Sequence, residues 1–283
     1  MSNLTFPWGN LHYVAQGRGS PLLLIPGRGL DHTSWDAQLP AYVDHFRVIT
    51  FDPRGVGRSS ATREPYGVVD LADDAARLLE SLGIGAAHVA GFSLGGMTAI
   101  HLARERRFRM LSLALHSTVD RAYPHLRMRQ ALSLMLIELD DANAWATFSA
   151  FTAFGAEFLN ANEGIVEAEV SRRRKRWEAM TSAQKAGVAA QIRAAMTHDV
   201  VEAPLGDVAV PTLVTVGSSD DVTRPEYAER MAAEIPGAEL VVFPGAPHRV
   251  ATFMPEVFNE KTLRFHLKHD QPETVRLEPG ERS

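Results

Sequence analysis

The sequence predicts an α/β fold: a mostly parallel sheet covered by helices on both faces, with a block of helices inserted between two strands. Three observations predict it. Short apolar runs alternate with helical patterns, the arrangement that builds a parallel sheet with crossover helices. Some runs, such as Pro21-Leu22-Leu23-Leu24-Ile25, are apolar at successive positions, as strands buried on both faces are. From about Val119 to about Leu205 no strand pattern occurs, so the alternation stops and later resumes.

Taken in order, Leu11 to Ala15 follows Gly9-Asn10 and reads as half of a hairpin with the segment before it. Pro21–Ile25 and Phe46–Phe51 are strands, with a helix expected between them from Ser34 to Val43. Leu71, Ala75, Leu78, Leu79 and Leu82 recur at helical spacing, and Gly83 closes that helix. Ala86–Ala90 is the next strand and Gly96–Arg104 the next helix, followed by a strand at Met110–His116. In the strandless stretch, Met128, Leu132, Met135, Leu136 and Leu139 share one helical face, and Phe148, Phe151, Phe154 and Phe158 share another. Thr181 to Thr197 forms a further helix with Ser182 as its cap. The charge run Arg172-Arg173-Arg174-Lys175-Arg176 reads as a solvated helix face. Strands return at Pro211–Val216 and Glu239–Phe243, with a helix at Pro225–Ile235 between them and a last helix from Val250 to Lys268.

The domain plan is therefore residues 1–118 as the first part of the α/β core, 119–205 as a helical lid, 206–268 as the second part of the core, and 269–283 as a disordered tail. The 283 residues carry a net charge of −5 and no cysteine, which excludes disulfides, thiolate metal sites and a cysteine nucleophile. The balance of charge argues against nucleic acid or an anionic membrane as partner. No signal peptide or spanning apolar run is evident, so a cytoplasmic protein is expected. No metal-ligand spacing occurs, and neither metal nor cofactor is expected. The expected partner is a small-molecule substrate, with the region around Phe148–Phe158 available for pairing with a second copy.

The chemistry centres on Gly91-Phe92-Ser93-Leu94-Gly95, placed between a strand and a helix. A serine on such a turn projects its hydroxyl beside the unpaired N–H groups of a helix start. A serine hydroxyl needs a base, usually a histidine oriented by a carboxylate. Both are expected on loops after later strands, in the order Ser, Asp, His. Gly217-Ser218-Ser219-Asp220-Asp221 follows one late strand and Pro247-His248 follows the other. Asp220 is preferred as the acid because it comes first in its loop, with Asp221 and then Asp120 as the competitors. The oxyanion needs donors, expected from the N–H groups of Leu94 and Arg28, the latter in Pro26-Gly27-Arg28-Gly29. The Arg28 side chain is also placed to reach the pocket and pair with a substrate carboxylate or carbonyl.

These residues together resemble the α/β-hydrolase superfamily. The resemblance runs from about Leu11 to Leu267 and rests on Pro26-Gly27-Arg28-Gly29, on Phe51-Asp52-Pro53-Arg54-Gly55-Val56-Gly57-Arg58-Ser59, on Gly91 to Gly96, on Gly217 to Pro225 and on Pro247-His248. It implies an eight-stranded, mostly parallel sheet with a lid after the sixth strand, and puts the family's acid at Asp220. One departure is that the family commonly carries His-Gly where this chain has Pro26-Gly27, which bears on the Arg28 donor. A serine at position 93 sets the chain apart from the epoxide hydrolases and haloalkane dehalogenases, which use a carboxylate there. The segment from Phe51 to Ser93, with Pro65-Tyr66-Gly67, is similar to the lidded esterase, lactonase and methylesterase branch.

The expectation is a serine hydrolase that cleaves a carboxylic ester or lactone of a small to medium, largely apolar substrate through an acyl-enzyme on Ser93, His248 and Asp220. Arg28, Phe92, Met128, Met135, Phe148 and Phe151 are the expected pocket residues. The same three side chains also serve acyl transfer or C–C bond hydrolysis, and this fold also hosts non-hydrolytic ligand binding or cyclisation templates.

Overall fold

β1 (Ser2–Phe6) and β2 (Gly9–Gln16) form an antiparallel hairpin that closes at Phe6 and Gly9. β2 also pairs antiparallel with β4 (Phe46–Phe51), and β4 pairs parallel with β3 (Ser20–Ile25). All six residues of β3 are buried, because both of its faces are covered. Each such leucine contributes about 1.5–3 kcal/mol through burial alone. β5 (Ala86–Phe92), β6 (Arg109–His116), β7 (Thr212–Gly217) and β8 (Glu239–Phe243) continue the sheet in parallel. The strand order is β1-β2-β4-β3-β5-β6-β7-β8, an eight-stranded sheet. This computed structural model describes residues 2–62, 65–104, 108–199 and 205–270. The expected disordered tail falls almost entirely on 271–283, outside the described residues.

Between β3 and β4 the expected Ser34–Val43 helix is two short pieces: a 3₁₀ turn at His32–Trp35, capped by Asp31, and α1 (Leu39–Tyr42), which has Pro40 in its first turn. α2 (Val68–Ser81), α3 (Leu94–Leu102) and, after β7, α8 (Pro225–Glu234) cover one sheet face, through Leu78, Leu79, Ile100 and Met231. The other face is covered by Trp35, by Tyr42, and by Phe258 and Phe265 of the final helix. The expected last helix breaks at Met254, which precedes a proline, into α9 (Val250–Phe253) and α10 (Pro255–Lys268).

Four helices lie between β6 and β7: α4 (Pro124–Leu139), α5 (Ala142–Ala161), α6 (Glu163–Ala179) and α7 (Ser182–Met196). They meet the sheet domain around Leu94, Met97, Val119, Leu126, Ala194 and Ala195. α7 starts with a capping box of Thr181 and Gln184, so the cap is Thr181 rather than Ser182. α5 is broken at Gly155, whose φ of +69° lies in the left-handed region. Its phenylalanines do not share one environment: Phe154 is buried, while Phe151, one turn earlier in the same segment, points outward.

Candidate active site

The turn from β5 into α3 is set by backbone approach. A Cβ on Gly91 would lie 2.2 Å from the Gly95 carbonyl oxygen, and one on Gly95 would lie 2.2 Å from the Ile25 carbonyl oxygen. Only glycine fits at either position. Between them Ser93 adopts φ +54°, ψ −114°, a strained conformation for a residue with a side chain. Two bonds hold it there: the Ser93 amide donates to the His116 carbonyl at 2.9 Å, and the Thr118 hydroxyl donates to the Ser93 carbonyl at 2.7 Å.

The structure brings Ser93, His248 and Asp220 together. Ser93 Oγ lies 3.2 Å from His248 Nε2, and His248 Nδ1 lies 2.9 Å from Asp220 Oδ2. Phe92 packs against the imidazole, ring centroids 5.0 Å apart. Asp220 is buried at the end of β7 and also accepts from the Val222 and Thr223 amides, each at 2.9 Å, and from the Thr223 hydroxyl at 2.8 Å. Burial pushes its carboxyl up, yet the facing His248 and the Thr223 donors outweigh that and leave it below the usual carboxylate range.

The competing aspartates are engaged elsewhere. Asp221 Oδ2 accepts from the Ala156 amide at 3.3 Å, where α5 restarts after Gly155. Asp120 pairs with Arg121 at 3.0 Å and Arg230 at 3.2 Å, and accepts from the Tyr123 hydroxyl.

Leu94 opens α3, so its N–H lacks an acceptor within the helix. In the loop after β3, Leu30 N–H donates to the Gly27 carbonyl and Gly29 N–H to Gln191 Oε1. Arg28, Leu94, Ser93 and His248 all line one cavity, open at its mouth. A Cβ on Gly27 would lie 2.7 Å from the Phe92 ring, so the loop approaches the site closely.

The pocket wall departs from the expectation. Phe92 lines this cavity, and Phe148 lines an adjoining one. Met128, Met135 and Phe151 line neither; they are 75%, 59% and 57% exposed. The apolar stripe of α4 turns outward, while Arg129 and Gln130 face the cavity and Leu126 packs against the sheet domain. Arg28 lines the cavity as expected, and further arginines join it: Arg129, Arg173 and Arg249 around Ser93, with Arg172 and Arg176 in the adjoining cavity. Arg173 and Arg176 thus turn inward from a run read as a solvated face. Sequence reasoning missed Arg129, Arg173 and Arg249. The available signal was the placement of Arg249 next to His248 and the one-turn spacing of 172, 173 and 176 behind Glu169.

Among the described residues one trio has the makings of a metal site, His12, His32 and Asp52, but it does not line the cavity. Asp52 is already engaged by the His32 ring at 2.6 Å and by the His32 and Arg58 amides. No helix among the described residues is long and apolar enough to cross a membrane.

A model of the α/β-hydrolase fold matches residues 20–251. The chain belongs to the α/β-hydrolase family. Among the relatives it is similar to is a putative carbamate hydrolase RutD of Azorhizobium caulinodans, 29% identical over 265 residues, covering 93% of this chain and 97% of that protein. Among solved structures it is similar to a hydrolase from Pseudomonas aeruginosa at 31% identity, TM-score 0.83, covering 94% of this chain and 97% of that one. It is also similar to the enol-lactonase from Burkholderia xenovorans at 25% identity, TM-score 0.82, covering 94% of this chain and all of that one.

Proposed function

We propose that this α/β-hydrolase cleaves a carboxylic ester or lactone through an acyl-enzyme on Ser93. The observation that carries the reading is the unbroken line from Ser93 Oγ through His248 to buried Asp220, at 3.2 Å and 2.9 Å, beside the free start of α3. Ser93 Oγ attacks the carbonyl carbon while His248 Nε2 takes its proton. Asp220 fixes the tautomer with the proton on Nδ1 and stabilises the imidazolium. The amides of Leu94 and Arg28 are the donors to the oxyanion. Collapse of the tetrahedral intermediate breaks the C–O bond, and His248 returns the proton to the leaving alkoxide. Water then gives a proton to His248 and its oxygen to the acyl carbon, which releases the acid and restores Ser93.

The enol-lactonase among the fold relatives supports a lactone or ester carbonyl. The carbamate hydrolase relatives favour a second reading, in which the attacked carbonyl belongs to a carbamate and the same relay serves. The four helices α4–α7 form a lid over Ser93 in either case. The cavity wall combines arginines with Leu30, Phe92, Leu94, Met97 and Val222, which suits a substrate with a polar as well as an apolar part.

Ser93→Ala is expected to abolish covalent labelling by a fluorophosphonate and to lower kcat on p-nitrophenyl butyrate by at least about 10³-fold. Labelling of that variant at the parent rate, or unchanged turnover, sinks the nucleophile assignment.

A further inference from the structure

The cavity beside Ser93 and the one adjoining it share Arg28, Arg173 and Arg249 in their walls. Together the two cavities are lined by six arginines and by no aspartate or glutamate. Three of the six have protein partners that account for them. Arg172 pairs with Glu169 at 2.6 Å, Arg176 donates to the Gly29 carbonyl at 2.5 Å, and Arg129 donates to the Asp221 and Thr152 carbonyls at 2.7 and 3.2 Å.

The other three are poorly neutralised. Arg28 donates to the neutral amide of Gln130 and faces Arg129. Arg173, with its side chain 11% exposed, donates from Nη1 to the Ser149 hydroxyl at 2.8 Å, while Nη2 is buried with no hydrogen-bond partner. Its nearest carboxylate is Glu169, at 3.6 Å and already held by Arg172. Arg249 follows His248 directly and has no side-chain hydrogen bond or ion pair among the described residues; Arg172, Arg173 and Arg176 repel it and Glu169 alone attracts it. Lost hydration and mutual repulsion bring Arg28, Arg173 and Arg249 each down to about 10, so all three stay protonated at neutral pH.

Converging cations with few counter-charges cost stability unless an anion is present to offset them. Guanidinium forks match the geometry of carboxylate and phosphate oxygens. We propose that Arg28, Arg173 and Arg249 form an anion subsite that holds a second negatively charged group, carboxylate or phosphate, on the molecule whose carbonyl is presented to Ser93. The substrate class is then an anionic ester, lactone or carbamate, gripped by its charge a short distance from the reacting carbon. This rests on the Ser93 hydrolase reading for its placement, but binding at the subsite is measurable without turnover.

The test has two parts. In the first, thermal unfolding and calorimetry of Ser93→Ala are followed as glutarate, inorganic phosphate or, at matched ionic strength, potassium chloride is added. Glutarate or phosphate is expected to raise Tm saturably, and chloride is not. In the second, the same anions are tested as inhibitors of p-nitrophenyl butyrate hydrolysis. Inhibition is expected to be competitive, with KI raised about tenfold or more by Arg173→Met or Arg249→Met, as for lost charge-assisted bonds. The variants remove repulsion, so their ligand-free Tm is expected at or above that of the parent, which separates lost binding from lost folding. Stronger action of glutarate identifies a carboxylate group, and stronger action of phosphate a phosphate ester. If neither anion outdoes chloride, or if both variants keep the parental KI, the subsite proposal is overturned, whatever the labelling of Ser93 shows. Failure of labelling with anion binding intact would instead remove the hydrolase reading and leave the subsite.

Discussion

β3 and α4 both carry dense apolar sequence, and the chain uses them in opposite ways. Leu22, Leu23 and Leu24 are fully buried between two helical layers, while Met128, Leu132, Met135 and Leu139 line the outer side of α4. In the sheet, hydrophobicity reports burial because helices cover both faces. In α4 it does not: Arg129 and Gln130 face the cavity beside Ser93, while the methionines of the apolar stripe face away. The reacting groups sit at the ends of sheet strands, and the cavity arginines are divided between the loops after β3 and β8, which carry Arg28 and Arg249, and the insert, which carries Arg129, Arg172, Arg173 and Arg176.

That contrast is sharpest in the size of the effects expected from each region. Asp220→Asn, on the sheet side, leaves the shape intact but lets His248 take the wrong tautomer, and is expected to lower kcat by about 10⁴-fold in steady-state assays. A loss under tenfold would mean that another group orients the imidazole. Next comes Asp74→Ala. Asp74 accepts two bonds of 2.6 Å from Arg54 and one of 2.8 Å from Trp8, so its removal strands a buried guanidinium. A loss of about 3–5 kcal/mol in denaturant unfolding is expected.

A graded effect of comparable size comes from protons. Burial lowers His116 of β6 to about 3, and His198, just after α7, to about 4 with help from repulsion by His101. The unfolded chain takes up these protons near pH 6.5, while the folded chain refuses them until far lower pH. Their contribution to stability is therefore complete above about pH 6.5 and is lost progressively as pH falls toward 4. The two groups together give a slope of roughly 2–3 kcal/mol per pH unit near pH 5. Unfolding free energies measured from pH 7 to 4.5 check this, and His116→Gln is expected to remove about one proton from the slope. Smallest of all, Met128→Gln with Met135→Gln is expected to change kcat/KM less than twofold and stability by at most about 0.5 kcal/mol per site. A large loss would show that the outer face of α4 is covered by a partner.

Legibility in the sequence follows the same boundary. The strand runs, the Gly91–Gly95 turn and the loops carrying Asp220 and His248 were readable, because a glycine forced by a 2.2 Å approach and a polar residue at a strand end leave few alternatives. The preference for Asp220 over Asp221 came from its position in the loop; Asp220 faces His248 at 2.9 Å, and Asp221 accepts from the Ala156 amide. The arginine wall was not readable. Periodicity separates an apolar face from a polar one, but in α6 both the solvent side and the cavity side are polar, so Arg173 and Arg176 looked like surface residues. The same blindness made the methionines of α4 look like pocket lining. The broken helix before β4 was missed for a different reason: Pro40 is compatible with a helix start, and nothing in the run reveals that the helix begins only there.

Two neighbouring carboxylates serve separate masters. Asp220 answers to the imidazole, and Asp221 answers to the second half of α5, whose first turn it closes. Arg129 of α4 grips the backbone oxygen of the same Asp221. Helices α4 and α5 are thus both fastened to the residue that follows Asp220, so substitutions at Arg129 or Gly155 bear on the loop that holds the imidazole's partner.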